Sequence, residues 1–246
     1  PNVMENLDFL VTQFSQTDSY GERTKPFQEG CYTYLTDGTI LVKAPNGHFS
    51  DNIVKSEEFR VEQNQDHVTS EQCNQIFSNR SWNTMVVHGK EIDDVLRLVH
   101  REAIFGNCQE CKGNGWVDCP NCVTSKDSRN CPRCGGMSHV ECETCQGTGE
   151  DRFNVIDTEY HELAYVLVND RTLMKPRSLD FLARLSEHQQ EPVFVHELNK
   201  DPQNSIFQVG DILVALAPCQ PGVMSGDEYI YDLAISLDPD DFDRAL

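Results

Sequence analysis

Long apolar runs, positive charge and catalytic signatures are all scarce in this sequence, and each scarcity excludes something. No run approaches the roughly 20 consecutive apolar residues that a membrane-spanning helix needs, so no membrane role is expected. The first residues, PNVMENLDFL, lack the basic start and long apolar stretch of a secretory signal, and the expected location is cytoplasmic. Twenty Lys and Arg stand against 40 Asp and Glu, a formal charge of −20. Affinity for nucleic acid comes largely from neutralising phosphates with basic side chains, so general nucleic-acid binding is disfavoured. Catalytic signatures are also missing: there is no phosphate-cradling G-x-x-x-x-G-K-[ST], no G-x-S-x-G, and no G-x-G-x-x-G after a strand-like run. HELAY at His161 and HELNK at His196 begin as zinc-protease helices do, but Tyr165 and Lys200 occupy the place of the second histidine, and both read as strand segments. The expectation is a protein that is not an enzyme.

Cysteine is what the chain has in excess. Eight of its 11 cysteines lie between Cys108 and Cys145, in four C-x-x-C pairs: Cys108/Cys111, Cys119/Cys122, Cys131/Cys134 and Cys142/Cys145. In a reducing compartment such spacing points to metal ligation rather than disulfides. Eight thiolates make two tetrahedral Cys₄ sites, and zinc favours closed, sulfur-rich coordination, so two zinc ions per chain are expected. His139 is not needed as a ligand, since eight cysteines already complete two sites. Thiol-disulfide exchange by the C-x-x-C pairs is the alternative use. Cys31, Cys73 and Cys219 stand apart and are expected to be buried, inert thiols.

Around this centre the pattern is α+β. Leu7, Leu10, Val11 and Phe14 recur at spacings of three and four and predict a helix over Met4 to Gln16. CYTYLTDGTILVKAP places Asp37-Gly38 between two β-rich runs and predicts a hairpin. A short helix near Ser70 to Ser78, a strand at TMVVH and an amphipathic helix from Lys90 to about Ile104 follow. Past the cysteines, ELAYVLV predicts a strand, RSLDFLARLSEH a helix after Pro176, and PVFVHEL, SIFQ and DILVALAP further strands. One constant offset of about 172 positions maps Leu7-Asp8-Phe9-Leu10 onto Leu179-Asp180-Phe181-Leu182, Gly38 onto Gly210, and Ile40-Leu41-Val42 onto Ile212-Leu213-Val214. The expected organisation is two related helix-plus-hairpin halves, residues 1–107 and 150–246, with a cysteine module at 108–149 inserted between them. The second half ends in an acidic tail, LDPDDFDRAL, read as a solvated end or as a short acidic peptide anchored by Phe242.

The cysteine segment resembles the zinc domain of DnaJ-type chaperones, whose signature is C-x-x-C-x-G-x-G repeated four times. Cys108 to Gly115 and Cys142 to Gly149 match in full, CPRCGGMS keeps only Gly136, and CPNCVTSK keeps neither glycine. The resemblance implies a nested ligand set, with Cys108, Cys111, Cys142 and Cys145 on one ion and Cys119, Cys122, Cys131 and Cys134 on the other. It also implies binding of non-native polypeptide or of a protein partner. No His-Pro-Asp tripeptide of a J-domain occurs, so stimulation of a chaperone ATPase is not implied. YLTDGTILVKAP in turn looks like the hairpin of DNA polymerase sliding clamps, whose domains repeat a helix-plus-strands unit. Three functional expectations follow: a zinc protein that docks to a protein partner, a clamp-like replication factor forming a ring or dimer around DNA, and an acidic DNA-mimic inhibitor of a DNA-handling enzyme.

Overall fold

Tight turns and apolar runs decide how this chain folds back on itself. The computed structural model describes residues 6–15, 26–54, 60–61, 68–78, 85–123, 131–199, 203–219 and 229–235, and the acidic tail with Phe242 lies outside them. In chain order the elements are α1 (Asp8–Ser15), β1 (Phe27–Glu29), β2 (Tyr32–Thr36), β3 (Ile40–Pro45), α2 (Asp51–Val54), β4 (Arg60–Val61), α3 (Ser70–Phe77), β5 (Met85–Val87), α4 (Gly89–Leu96), β6 (Arg101–Asn107), β7 (Trp116–Asp118), α5 (Pro120–Val123), β8 (His139–Glu141), β9 (Glu150–Tyr160), β10 (Ala164–Val168), β11 (Thr172–Met174), α6 (Pro176–Gln189), β12 (Val193–Glu197), β13 (Ser205–Val209), β14 (Ile212–Leu216) and β15 (Tyr229–Leu233). The class is α+β, with helices set against mainly antiparallel sheets. The chain divides into two compact units: residues 1–99 together with 162–246, and residues 100–161.

The first unit is built on an eight-stranded sheet in the order β4-β1-β2-β3-β14-β13-β12-β5, beside a three-stranded sheet β11-β10-β15. Between β2 and β3, Gly38 takes φ +89, and the Asp37 carboxylate accepts the Thr39 and Ile40 N–H groups at 2.8 Å each. The aspartate thus satisfies two turn amides while the glycine supplies the left-handed backbone. β3 and β14 meet at the middle of the sheet, antiparallel, with Val42 opposite Val214. All five residues of β14 are buried, which accounts for its unbroken apolar run. α3 covers one face, where Cys73 and Phe77 pack with Phe27, Tyr34, Leu41, Ile206, Leu213 and Ala215. Side chains alternate along strands, so Val42, Val214 and Leu216 point to the other face, and they too are buried.

Local sequence explains the helices. α6 begins with Pro176 at its first turn, where the missing N–H costs nothing, and ends at Gln190 in the left-handed region. It buries Leu179, Leu182 and Leu185, and Phe181 meets Phe14 of α1 edge-on at 5.7 Å. α3 starts with a reciprocal capping box between Thr69 and Gln72. The helix expected from Lys90 to Ile104 stops at Leu96. Ile92 and Leu96 hold its buried face, Leu98 is 72% exposed, and Ile104 and Phe105 instead join β6, whose ladder with β9 takes the whole segment from Arg101 to Asn107.

Cys73 is buried as expected, but Cys31 is exposed and Cys219 only half-buried. Cys31 sits with Gly30 in the turn joining β1 to β2, where side chains point to solvent. Burial pushes the Cys219 thiol above its ordinary range against the Lys175 ammonium nearby.

Phe207, 1% exposed on β13, should be a main contributor to the stability of this unit. Phe207→Ala is expected to cost about 3–5 kcal/mol in urea unfolding, whereas Leu98→Ala should stay within about 0.5 kcal/mol of the parent.

Candidate metal centre

Residues 100–161 hold two short ribbons, β6 with β9 and β7 with β8. The β7–β8 ribbon pairs Trp116 with Glu141, Val117 with Val140 and Asp118 with His139. Val117 packs on one cysteine quartet and Val140 on the other, so the ribbon lies between the two clusters.

The quartets are Cys108, Cys111, Cys142 and Cys145, and Cys119, Cys122, Cys131 and Cys134; in each, the four sulfurs lie within 4.8 Å of one another. Sulfur separations are 3.9 Å for Cys108–Cys142, 3.7 Å for Cys111–Cys145, 3.8 Å for Cys119–Cys131 and 3.4 Å for Cys122–Cys134. A tetrahedron with Zn–S bonds of about 2.3 Å has S···S edges of about 3.8 Å. A disulfide would bring the sulfurs to roughly 2.05 Å. The observed spacing therefore fits ligation of one ion per quartet, and the all-sulfur donor set suits zinc. Among the described residues these are the groups able to hold a metal. His161 follows β9, His196 lies in β12 bonded to Gln208, and His139 stacks edge-on against Trp116 at 5.5 Å; none of them joins a quartet.

The first quartet is made by two copies of one loop locked together. The Gly115 carbonyl accepts the Cys142 N–H at 2.9 Å, and the Gly149 carbonyl accepts the Cys108 N–H at 2.7 Å. Gly115 N–H donates to the Cys111 sulfur and Gly149 N–H to the Cys145 sulfur, both at 3.3 Å. The glycines also pack on each other. A Cβ on Gly115 would come within 2.3 Å of the Gly147 carbonyl oxygen, and one on Gly149 within 2.3 Å of that of Gly113. Gly113, Gly115, Gly147 and Gly149 take φ of +87, +76, +77 and +79, which favours glycine at all four, and at Gly115 and Gly149 the facing backbone leaves no space for a side chain. This interlock is the physical reason the full glycine signature falls on the first and fourth repeats.

The second quartet is more exposed. Cys122 is half-buried while its three partners are buried. In the third repeat Gly135 and Gly136 take φ +60 and +92, and Ser138 takes φ +65 at the position of the last signature glycine. The Ser138 carbonyl accepts the Cys119 N–H at 2.9 Å, as Gly115 does for Cys142. Serine thus does the backbone work of glycine there, in a conformation that L residues seldom adopt. In the second repeat the one-turn helix α5 spans the segment after Cys119 and carries Cys122.

Proton sharing within the quartets marks where negative charge collects. Burial pushes Cys134 and Cys145 up, but the Cys122 thiol and backbone N–H groups outweigh it at Cys134, which falls to about 6. At Cys145 the Gly149 N–H and the thiols of Cys111, Cys142 and Cys108 bring it down to about 7. Cys122, donating to Cys134, is driven up in turn. Thiolate is the form that ligates a metal, and it is favoured at Cys145 in the first quartet and at Cys134 and Cys131 in the second.

No family model, no curated protein and no solved structure matches this chain.

Two outcomes are expected on titrating the zinc-loaded protein with a chelator while a metallochromic dye reads release. Two ions should leave in separate steps, the first from the quartet containing Cys122. Gly115→Ala should abolish the later step, because its Cβ has no room, while Ser138→Gly should retain both ions.

Proposed function

We propose that this chain is a non-enzymatic zinc protein that docks to a protein partner, with one zinc ion in each cysteine quartet acting structurally. One observation carries the structural role. Among the described residues of 100–161, those that are buried are seven cysteines and three glycines, Gly106, Gly115 and Gly149. A unit without buried aliphatic or aromatic side chains has almost no hydrophobic driving force. Structural zinc in small domains contributes about 10–16 kcal/mol, enough to replace a core. A closed Cys₄ shell also leaves no open position for a substrate, unlike a catalytic zinc site. The bond pattern of the interlocked first and fourth repeats supports reading 108–149 as a module of the DnaJ type.

For the remainder of the chain we infer two related halves. Their support is the strand order, which reads β3-β2-β1 outward from the middle on one side and β14-β13-β12 on the other. Val42 and Val214, related by the sequence offset, face each other there, as residues beside a two-fold axis would. Leu7, Leu179, Ile40 and Ile212, the equivalent positions of the halves, are all buried. The correspondence loosens at the outer strands, where β12 lies at Val193–Glu197 rather than a full offset from β1.

A clamp-like reading would need a basic helical surface for DNA. α4 packs on α6, with Gly89 close under Ala183 and Ser186. Burial raises the Asp93 carboxyl there, and the carboxylates of Asp180 and Glu187 add to the rise. That concentration of acid favours a basic partner protein over DNA, and it equally suits the DNA-mimic variant of the docking reading.

Chelation of the full-length protein should remove amide-exchange protection from residues 101–107, 116–118, 139–141 and 150–160, while strands β3, β13 and β14 keep theirs. Retained protection in both ribbons after complete metal removal would show that zinc is not structural. Tight duplex-DNA binding at roughly 0.15 M salt would instead favour the clamp-like reading.

A further inference from the structure

The β6–β9 ribbon leaves its largest apolar side chains in water. Phe153 is 100% exposed, Ile156 63% and Val155 54%. Scattered exposed hydrophobes are ordinary, but three within four residues of one strand concentrate exposed apolar surface in the way that marks interaction sites.

The position of Phe153 is built into the ladder. Phe105 pairs with Val155 and Gly106 with Asp151, so Arg152, Phe153 and Asn154 have no ladder partners and form a bulge. Bulges re-aim side chains, and this one is held at both ends. The Phe153 N–H donates to Asp151 Oδ1 at 3.1 Å. The Asn154 side chain lies across Gly106, where an added Cβ would come within 2.5 Å of its Nδ2. Gly106 lets the Asn154 side chain lie close against the β6 backbone.

Charge around the bulge selects the occupant. Glu150, Asp151, Asp157 and Glu159 of β9 and Glu102 of β6 share the ribbon with Arg101 and Arg152; Glu102 pairs with His161 at 3.1 Å, and Arg101 is committed to Tyr160 through a hydrogen bond at 2.9 Å and a ring contact at 4.5 Å. A second copy would set these carboxylates, and a net charge of −20 per chain, against their like. A cationic surface with large apolar side chains satisfies both the patch and its rim.

We propose that Phe153, with Val155 and Ile156, anchors a docking surface for a protein partner that presents a cationic, amphipathic segment. The proposal rests on the docking reading above and names the residue that carries it. A single protruding aromatic with a charged rim is the arrangement in which one side chain dominates affinity.

The test uses the full-length, zinc-loaded protein and two fluorescent synthetic peptides of equal charge, one alternating Lys with Leu and one alternating Lys with Ser. The Lys-Leu peptide should bind more tightly. Phe153→Ser should weaken that binding roughly tenfold or more, leave the Lys-Ser peptide unaffected and keep two zinc ions, while Leu98→Ser, on the other unit, changes neither peptide. Equal binding of the two peptides, no binding of the Lys-Leu peptide, or a Phe153→Ser variant with unchanged affinity would overturn the proposal. So would concentration-dependent dimerisation in sedimentation that Phe153→Ser abolishes, since the occupant would then be a second copy. A zinc content below two in the parent protein would count against the metal reading instead, so the two failures are told apart.

Discussion

Four sulfurs gathered to the spacing of a tetrahedron's corners are the constraint around which residues 100–161 are arranged. Each C-x-x-C turn can aim two sulfurs at one point, and two such turns must meet face to face. In the first quartet the meeting is so close that Gly115 and Gly149 have no room for a Cβ, and their carbonyls take up the N–H groups of Cys142 and Cys108 across the join. The β7–β8 ribbon then spaces the two quartets, with Val117 turned to one and Val140 to the other. The apolar interior that most domains have is replaced here by sulfur and glycine. On the proposed reading, such a unit takes the free energy of its fold from ligation.

The other unit follows ordinary rules. Its sheet is held by continuous apolar runs at the centre, its turns by Gly38 and Gly210, and its helices by recognisable caps. Metal loss should leave it standing. A net charge of −20 sets like molecules against one another, and on the α4–α6 pair burial raises the Asp93 carboxyl, with the Asp180 and Glu187 carboxylates adding to the rise.

Much of this was legible in the sequence because the signals were short-range. The C-x-x-C pairs, the Asp37-Gly38 turn and Pro176 each act within a few residues, and the elements they mark are where the spacing predicted. The end of α4 was not legible: Val99 continues an apolar periodicity, and only the distant β9 decides that Ile104 and Phe105 belong to a strand. Ser138 was likewise hidden, since serine gives no hint of positive φ without its hydrogen bond to Cys119. The Phe153 bulge depends on register between segments more than 40 positions apart, as in the Gly106–Asp151 pairing, and composition carries no trace of it. Exposure of Cys31 depended on a turn that the surrounding strand-like run concealed.

The most direct measurement is X-ray absorption at the zinc edge on the full-length protein loaded with two equivalents of metal. The account expects a single shell of four sulfurs at about 2.3 Å around each ion, with no nitrogen or oxygen in the first shell. A mixed shell, or one ion per chain with the remaining sulfurs paired at roughly 2.05 Å, would contradict it.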